Sequence, residues 1–177
     1  MKGGVWLFLS VIISMTNQQN LQTTAPAAAP AYVSNSFQFV VRAPLSRAAP
    51  LFGPEGERCW AGQHWNPQFH YPQPGKDVQG AVFTIQDGEH TSVWVNTVFD
   101  PAGGRMQYVS FVPGALVSTV DVRLTVLDPL STRVEVTYAR TALDAAANGH
   151  VQAMESSDRE SGPHWQQAVE DCLTRQR

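Results

Sequence analysis

The run "LVSTVDVRLTVLDPLSTRVEVTYART", Leu116 to Thr141, decides the fold class. In its first half Val120, Val122, Leu124 and Val126 fall on one side of an extended chain, with Asp121, Arg123 and Thr125 on the other. A period of two marks a strand with one buried face. "DPLST" is a turn, after which Val134, Val136 and Tyr138 resume the alternation. Two such strands joined so briefly pair antiparallel.

The same pattern extends upstream. "GAVFTIQ" stops at the hairpin dipeptide Asp87-Gly88, "TSVWVNTVF" at "DPAGG", and "RMQYVSFVPG" at Pro113-Gly114. Turn-linked neighbours of this kind form an antiparallel meander. Further upstream, "SFQFVVRAP" places Phe37, Phe39 and Val41 on one face before Pro44 ends the strand. "LSRAAPLF" then has helical spacing at Leu45, Ala48, Ala49 and Phe52, shortened by Pro50. The following "GPEGERCWAGQHWNP" and "QFHYPQPGKDVQG" show no period and read as an ordered connection or short helices.

Downstream of Leu143 the period switches. "DAAANGHVQAMESSDRESGPHWQQAVEDCLTRQR" reads as helix to the C-terminus, with a kink or break expected at Gly162-Pro163. Ser161 is the candidate N-cap of a second segment, in which Trp165, Val169 and Cys172 share one face. The order is one strand, a short helical connection, five strands and a long helix. An antiparallel sheet with one apolar face needs a cover, and the terminal helix is available to supply it. The class is therefore α+β.

The first 34 residues are different in kind. Lys2 followed by the apolar run Val5–Met15 resembles the n- and h-regions of a secretory signal, and the run is too short to span a bilayer. An uncharged, Ala/Pro-rich stretch follows and reads as linker. The division expected is thus 1–34, leader and linker, and 35–177, one domain of roughly 140 residues, enough for a single core. The expected location is exported or periplasmic, without an integral membrane span in the mature chain. If the leader is only an unselected extension, the location is cytoplasmic.

With 43% hydrophobic and 15% charged residues and a net charge of −3, the 177-residue chain has no basic footprint for nucleic acid. Cys59 and Cys172 match neither CxxC nor zinc-ribbon spacing. They are two free thiols or one long-range disulfide, and export would permit the latter.

On "FQFVVRAP", "PLFGPEGERCWAGQHWNP", "GAVFTI", "SVWVNTVFDP", "YVSFVPG" and "VEVTYARTAL", the chain resembles the START-like (Bet v 1-like, SRPBCC) superfamily, which includes the polyketide cyclase/dehydrase-like lipid-binding proteins. The resemblance covers about Ser36 to Arg177. It implies a helix-grip fold: a curved antiparallel sheet wrapped around a long C-terminal helix, with two short helices after the first strand. It also implies a cavity between sheet and helix that takes a small hydrophobic molecule or lipid. No cofactor is expected.

Same-face pairs on the strands are then the candidate lining: Phe83 and Ile85, Trp94 and Asn96, Tyr108 and Ser110, Val136 and Tyr138. Trp60 and Trp65 are expected as wedges under the helix or at the cavity mouth, and Glu57 with Arg58 as an ion pair fastening their loop. Glu55, Glu57, Asp87, Glu89 and His90 are the residue types that could serve acid/base chemistry, but most stand in turns. His64 and His70 lack the converging partners and short spacing of a zinc site, so no metal is expected. GxSxG, Walker A and dinucleotide motifs do not occur. The leading expectation is a ligand-binding domain. The alternatives are a cyclase or dehydratase using Tyr108, Asn96 or His90, and a protein-interaction module.

Overall fold

A computed structural model describes residues 28–176. The leader expected over the first residues lies outside them. Strand β1 (Tyr32–Val41) is followed by helix α1 (Leu45–Ala48), a 3-10 turn at Ala49–Phe52 and helix α2 (Pro54–Glu57). Then come β2 (Gln68–Tyr71), β3 (Val82–Asp87), β4 (His90–Asp100), β5 (Arg105–Val112), β6 (Leu116–Asp128) and β7 (Ser131–Ala142). A 3-10 turn at Ala145–Ala147 leads into α3 (Asn148–Arg175). The strands form one antiparallel sheet in the order β1-β7-β6-β5-β4-β3-β2. This is the α+β helix-grip arrangement, with the two short helices after the first strand.

Strand β2 falls in the stretch without a period. Of its four residues only Phe69 turns inward, opposite Phe83, so no alternation exists to be read. Strand β1 begins before Ser36, because Tyr32–Asn35 pair with Thr141–Tyr138. In β4 the register shifts between Asn96 and Val98, a bulge that bends the strand and carries Phe99 onto the inner face against Met106. Val126, expected inward, is 54% exposed. The hairpin from Thr125 to Leu130 is exposed throughout, beyond the covered part of the sheet.

Helix α3 runs unbroken through Pro163, contrary to the expected kink or break in its pattern. Ser161 caps nothing, since its hydroxyl donates 2.8 Å to the Ser157 carbonyl one turn back. Gly162 explains the local sequence: a Cβ there would lie 3.4 Å from the Gln38 carbonyl oxygen and 3.5 Å from the Phe37 ring. Glycine thus lets the helix lie close on β1, and Pro163 occupies the exposed side.

The helix packs chiefly on β1 and less on β7. Val169, Cys172 and Leu173 are buried there, and the Trp165 ring meets Phe37 edge-on at 5.3 Å and Trp60 at 4.7 Å. The cysteines form a disulfide, Cys59–Cys172, that ties the segment after α2 to the last turns of α3. No helix among the described residues is long and apolar enough to cross a membrane.

Candidate functional site

Register aligns the inner-face residues of neighbouring strands into rows across the sheet. Phe99, Met106, Val122, Val136 and Phe37 make one row, with Met106 and Val136 fully buried. Asn96, Tyr108, Val120 and Tyr138 make the next. The third is Trp94, Ser110, Ser118 and Arg140. Side chains shrink in the middle of this third row, and α3 lies over β1 and β7 rather than over β4–β6. The result is a cavity of about 780 Å³ between sheet and helix.

Its apolar wall includes Trp65, Ile85, Trp94, Leu116, Val120 and Met154. Ala146, Ala147 and His150 contribute from the start of α3 and its lead-in. At the rim stand His64, and Asp87 with His90 from the β3–β4 hairpin, with His64 Nδ1 3.8 Å from Asp87 Oδ1. Trp65 is held in place by its indole N–H, which donates 2.9 Å to the Pro54 carbonyl, and by edge-on contacts with Phe83 and Trp94.

Arg140 is the buried cation that lines the cavity, only 6% exposed. Its Nη1 donates to the Asp158 carboxylate on α3, itself 6% exposed. The guanidinium carbon lies 4.2 Å from the centre of the Tyr138 ring, a cation–π contact. The buried Nε has no hydrogen-bond partner. Burial raises the Asp158 carboxyl above its ordinary pKa, against the lowering effect of Arg140. Burial likewise raises the Tyr138 phenol.

Of the sequence-derived lining candidates, Trp65, Ile85, Trp94, Ser110 and Tyr138 stand on the cavity. The other five lie elsewhere. Trp60 is under the helix, its indole donating 2.7 Å to the Leu51 carbonyl. Phe83 and Val136 are fully buried core. Asn96 is fully buried, donating from Nδ2 to the Val78 carbonyl at 3.1 Å. Tyr108 donates to the Phe52 carbonyl, and burial, then Glu57 and Asp77, hold its phenol well above its ordinary pKa. Alternation assigns a residue to the inner face, but the cover above it decides whether it meets packing or space. The α1–α2 segment meets Tyr108 through the Phe52 carbonyl, and the Trp65, Phe69 and Trp94 rings pack against Phe83.

Arg140 and Ser118 were not among the candidates, although the signal was present. They continue the inner sets Tyr138-Val136-Val134 and Val120-Val122 by two residues, and break the apolar run. Asp158 and His150 left no comparable trace in a mixed helix.

The expected Glu57–Arg58 pair does not form. Arg58 binds Glu55 at 3.0 Å, Asn66 Oδ1 at 2.8 Å and the Pro67 carbonyl, and so fastens the loop without Glu57. Glu57 turns inward and is 7% exposed, its carboxyl raised well above the ordinary range by burial and then by Asp77. Asp77 accepts from the Glu55 and Gly56 amides at 2.8 and 3.3 Å. Glu89 is exposed in the β3–β4 turn. His70 is on β2, bonded to Thr84 at 3.3 Å, while His64 is at the cavity rim. Among the described residues no cluster of three or more His, Cys, Asp or Glu could hold a metal.

No family model matches the sequence, and no curated protein matches it. Solved structures do. Norcoclaurine synthase from Thalictrum flavum, in complex with dopamine and hydroxybenzaldehyde, is similar over 99% of both chains, with a TM-score of 0.60 and 10% identity. Ara h 8.0201 is similar over 81% of this chain and 99% of its own, with a TM-score of 0.54 and 12% identity. The chain has the Bet v 1-like helix-grip fold. A hypothetical protein, jhp0584 from Helicobacter pylori, shares this Bet v 1-like architecture over 82% of this chain and 89% of its own, with a TM-score of 0.60 and 10% identity. At these identities the likeness is one of fold.

Proposed function

We propose that this protein binds a small apolar molecule in the cavity between sheet and α3. The observation that carries this reading is a space of about 780 Å³ walled by Trp65, Trp94, Leu116 and Met154. That volume lies within the ~300–1,000 Å³ usual for small-molecule sites, as does the mix of apolar wall and few polar groups. The complex of norcoclaurine synthase with two small aromatic compounds gives a precedent for small ligands in this fold.

Trp94 and Trp65 make the test direct. Titration with a neutral apolar compound should change tryptophan emission and saturate at one equivalent per chain. Ser118→Leu, which puts a side chain into the space, should weaken that binding at least about tenfold, the effect of 1.4 kcal/mol. Equal binding by both proteins, or none by either, contradicts the reading.

The cyclase or dehydratase alternative has less support. Of its three candidate groups, Tyr108 and Asn96 are engaged with backbone carbonyls in the core, and only His90 reaches the cavity, at its rim. The interaction-module alternative predicts a filled interior, which this cavity opposes.

We also infer that the protein works in an oxidising compartment. The Cys59–Cys172 disulfide supports this, since such bonds persist mainly outside the cytosol. A mature chain starting beyond Met15 by N-terminal sequencing is the expected result, and an intact Met1 in the cytosolic fraction contradicts it.

A further inference from the structure

We propose that the cavity takes an amphipathic acid, its carboxylate held by Arg140 and its apolar body lying across Ser118 and Ser110 toward Trp94 and Trp65. This rests on the cavity-binding reading above and specifies its ligand class.

Arg140 is more than nine-tenths buried and lines the cavity. A guanidinium carries five N–H donors in a planar fork that suits a carboxylate. Asp158 accepts from Nη1 and the Tyr138 ring covers a face, while Nη2 makes no hydrogen bond among the described residues. Buried polar groups are normally satisfied, so Nη2 is the donor left for a group supplied from outside the chain.

The fixed charges of the cavity are separated. Arg140 is in its interior, whereas Asp87 is its one carboxylate among the described residues. Asp87 is at the rim, with its side chain 79% exposed and 3.8 Å from His64. Behind the wall, Asp158 is committed to Arg140. An amine would meet a fixed cation in the interior; a carboxylate would meet its partner.

The order of the row fixes the orientation. Trp94, Ser110, Ser118 and Arg140 are successive cross-strand neighbours on β4, β5, β6 and β7. Three strand spacings put the backbones at the ends of the row about 14 Å apart. That suits a medium-length acyl chain or a two-ring aromatic acid, with the apolar end on the tryptophans.

The experiment compares dodecanoate with 1-dodecanol, and 2-naphthoate with 2-naphthamide, by calorimetry on the disulfide-bonded protein. In at least one pair the acid should bind at least about tenfold tighter, as expected for a charge-assisted hydrogen bond. In Arg140→Met/Asp158→Leu, which removes both buried charges together, that preference should fall to about one. The inference is overturned if the neutral partners bind as tightly as the acids to the wild-type protein, a comparison that needs no variant. It is equally overturned if the double variant keeps the acid preference. Binding of neutral compounds without acid preference leaves the cavity reading standing and removes this one; no binding by any of the four removes both.

Discussion

The two ends of the sheet's inner face use the same strands and the same alternation, yet do opposite things. At the closed end Met106, Val122 and Val136 are buried beside Phe37 in one cluster with Phe52 and the α1–α2 segment, and the disulfide pins the last turns of α3 to the segment after α2. At the open end the same strands present Ser110, Ser118 and Arg140, and space remains between them and the cover. Two register rows separate a core from a cavity. The lesson is that side-chain volume in the rows, together with where the helix lands, divides one face into stability and function.

The largest expected effect belongs to the closed end. Its disulfide closes a loop spanning 113 positions, and removing it through Cys59→Ala/Cys172→Ala should lower the unfolding free energy by about 4–5 kcal/mol in the chain-entropy treatment. Denaturant titration of both forms checks this. A loss below about 1 kcal/mol would mean that the helix is held at that end by packing alone.

A size swap breaks the comparison most cleanly. Val136→Leu adds a methylene where no space exists and should cost about 1–3 kcal/mol. Ser118→Leu adds more atoms but places them in the cavity, and should leave stability within about 1 kcal/mol of wild type. Equal destabilisation by the two would show that the open end is as tightly packed as the closed one.

The smallest effect is a pH dependence from Glu57. Its folded-state pKa is raised by burial, so its contribution to stability is fully present below the ordinary carboxylate range. As pH rises above that range the unfolded chain ionises first, and the contribution is lost up to the raised folded value. Glu57→Gln should therefore gain stability relative to wild type between pH 4 and pH 7. A constant difference over that interval contradicts the burial of this acid.

Much of the fold was legible because alternation and turn chemistry agree: six of the strands have both, and the helix has its own period. Strand β2 was hidden because a four-residue edge with one inward side chain has no pattern. The continuity of α3 was hidden because Gly162-Pro163 is a local helix breaker, and only contact with Phe37 and Gln38 shows why glycine stands there. At the site, parity identified the inner face but not the cover, so Tyr108 and Asn96 were grouped with Trp94 and Ser110. Glu57 was paired with Arg58 by sequence adjacency, whereas the short helix turns successive residues in different directions.

Native mass spectrometry of the protein purified from its own host tests the central claim, that the open end is a ligand site. Wild-type protein is predicted to carry one small molecule per chain, absent from Ser118→Leu prepared in the same way. Bare mass for both, or the same adduct on both, would contradict it.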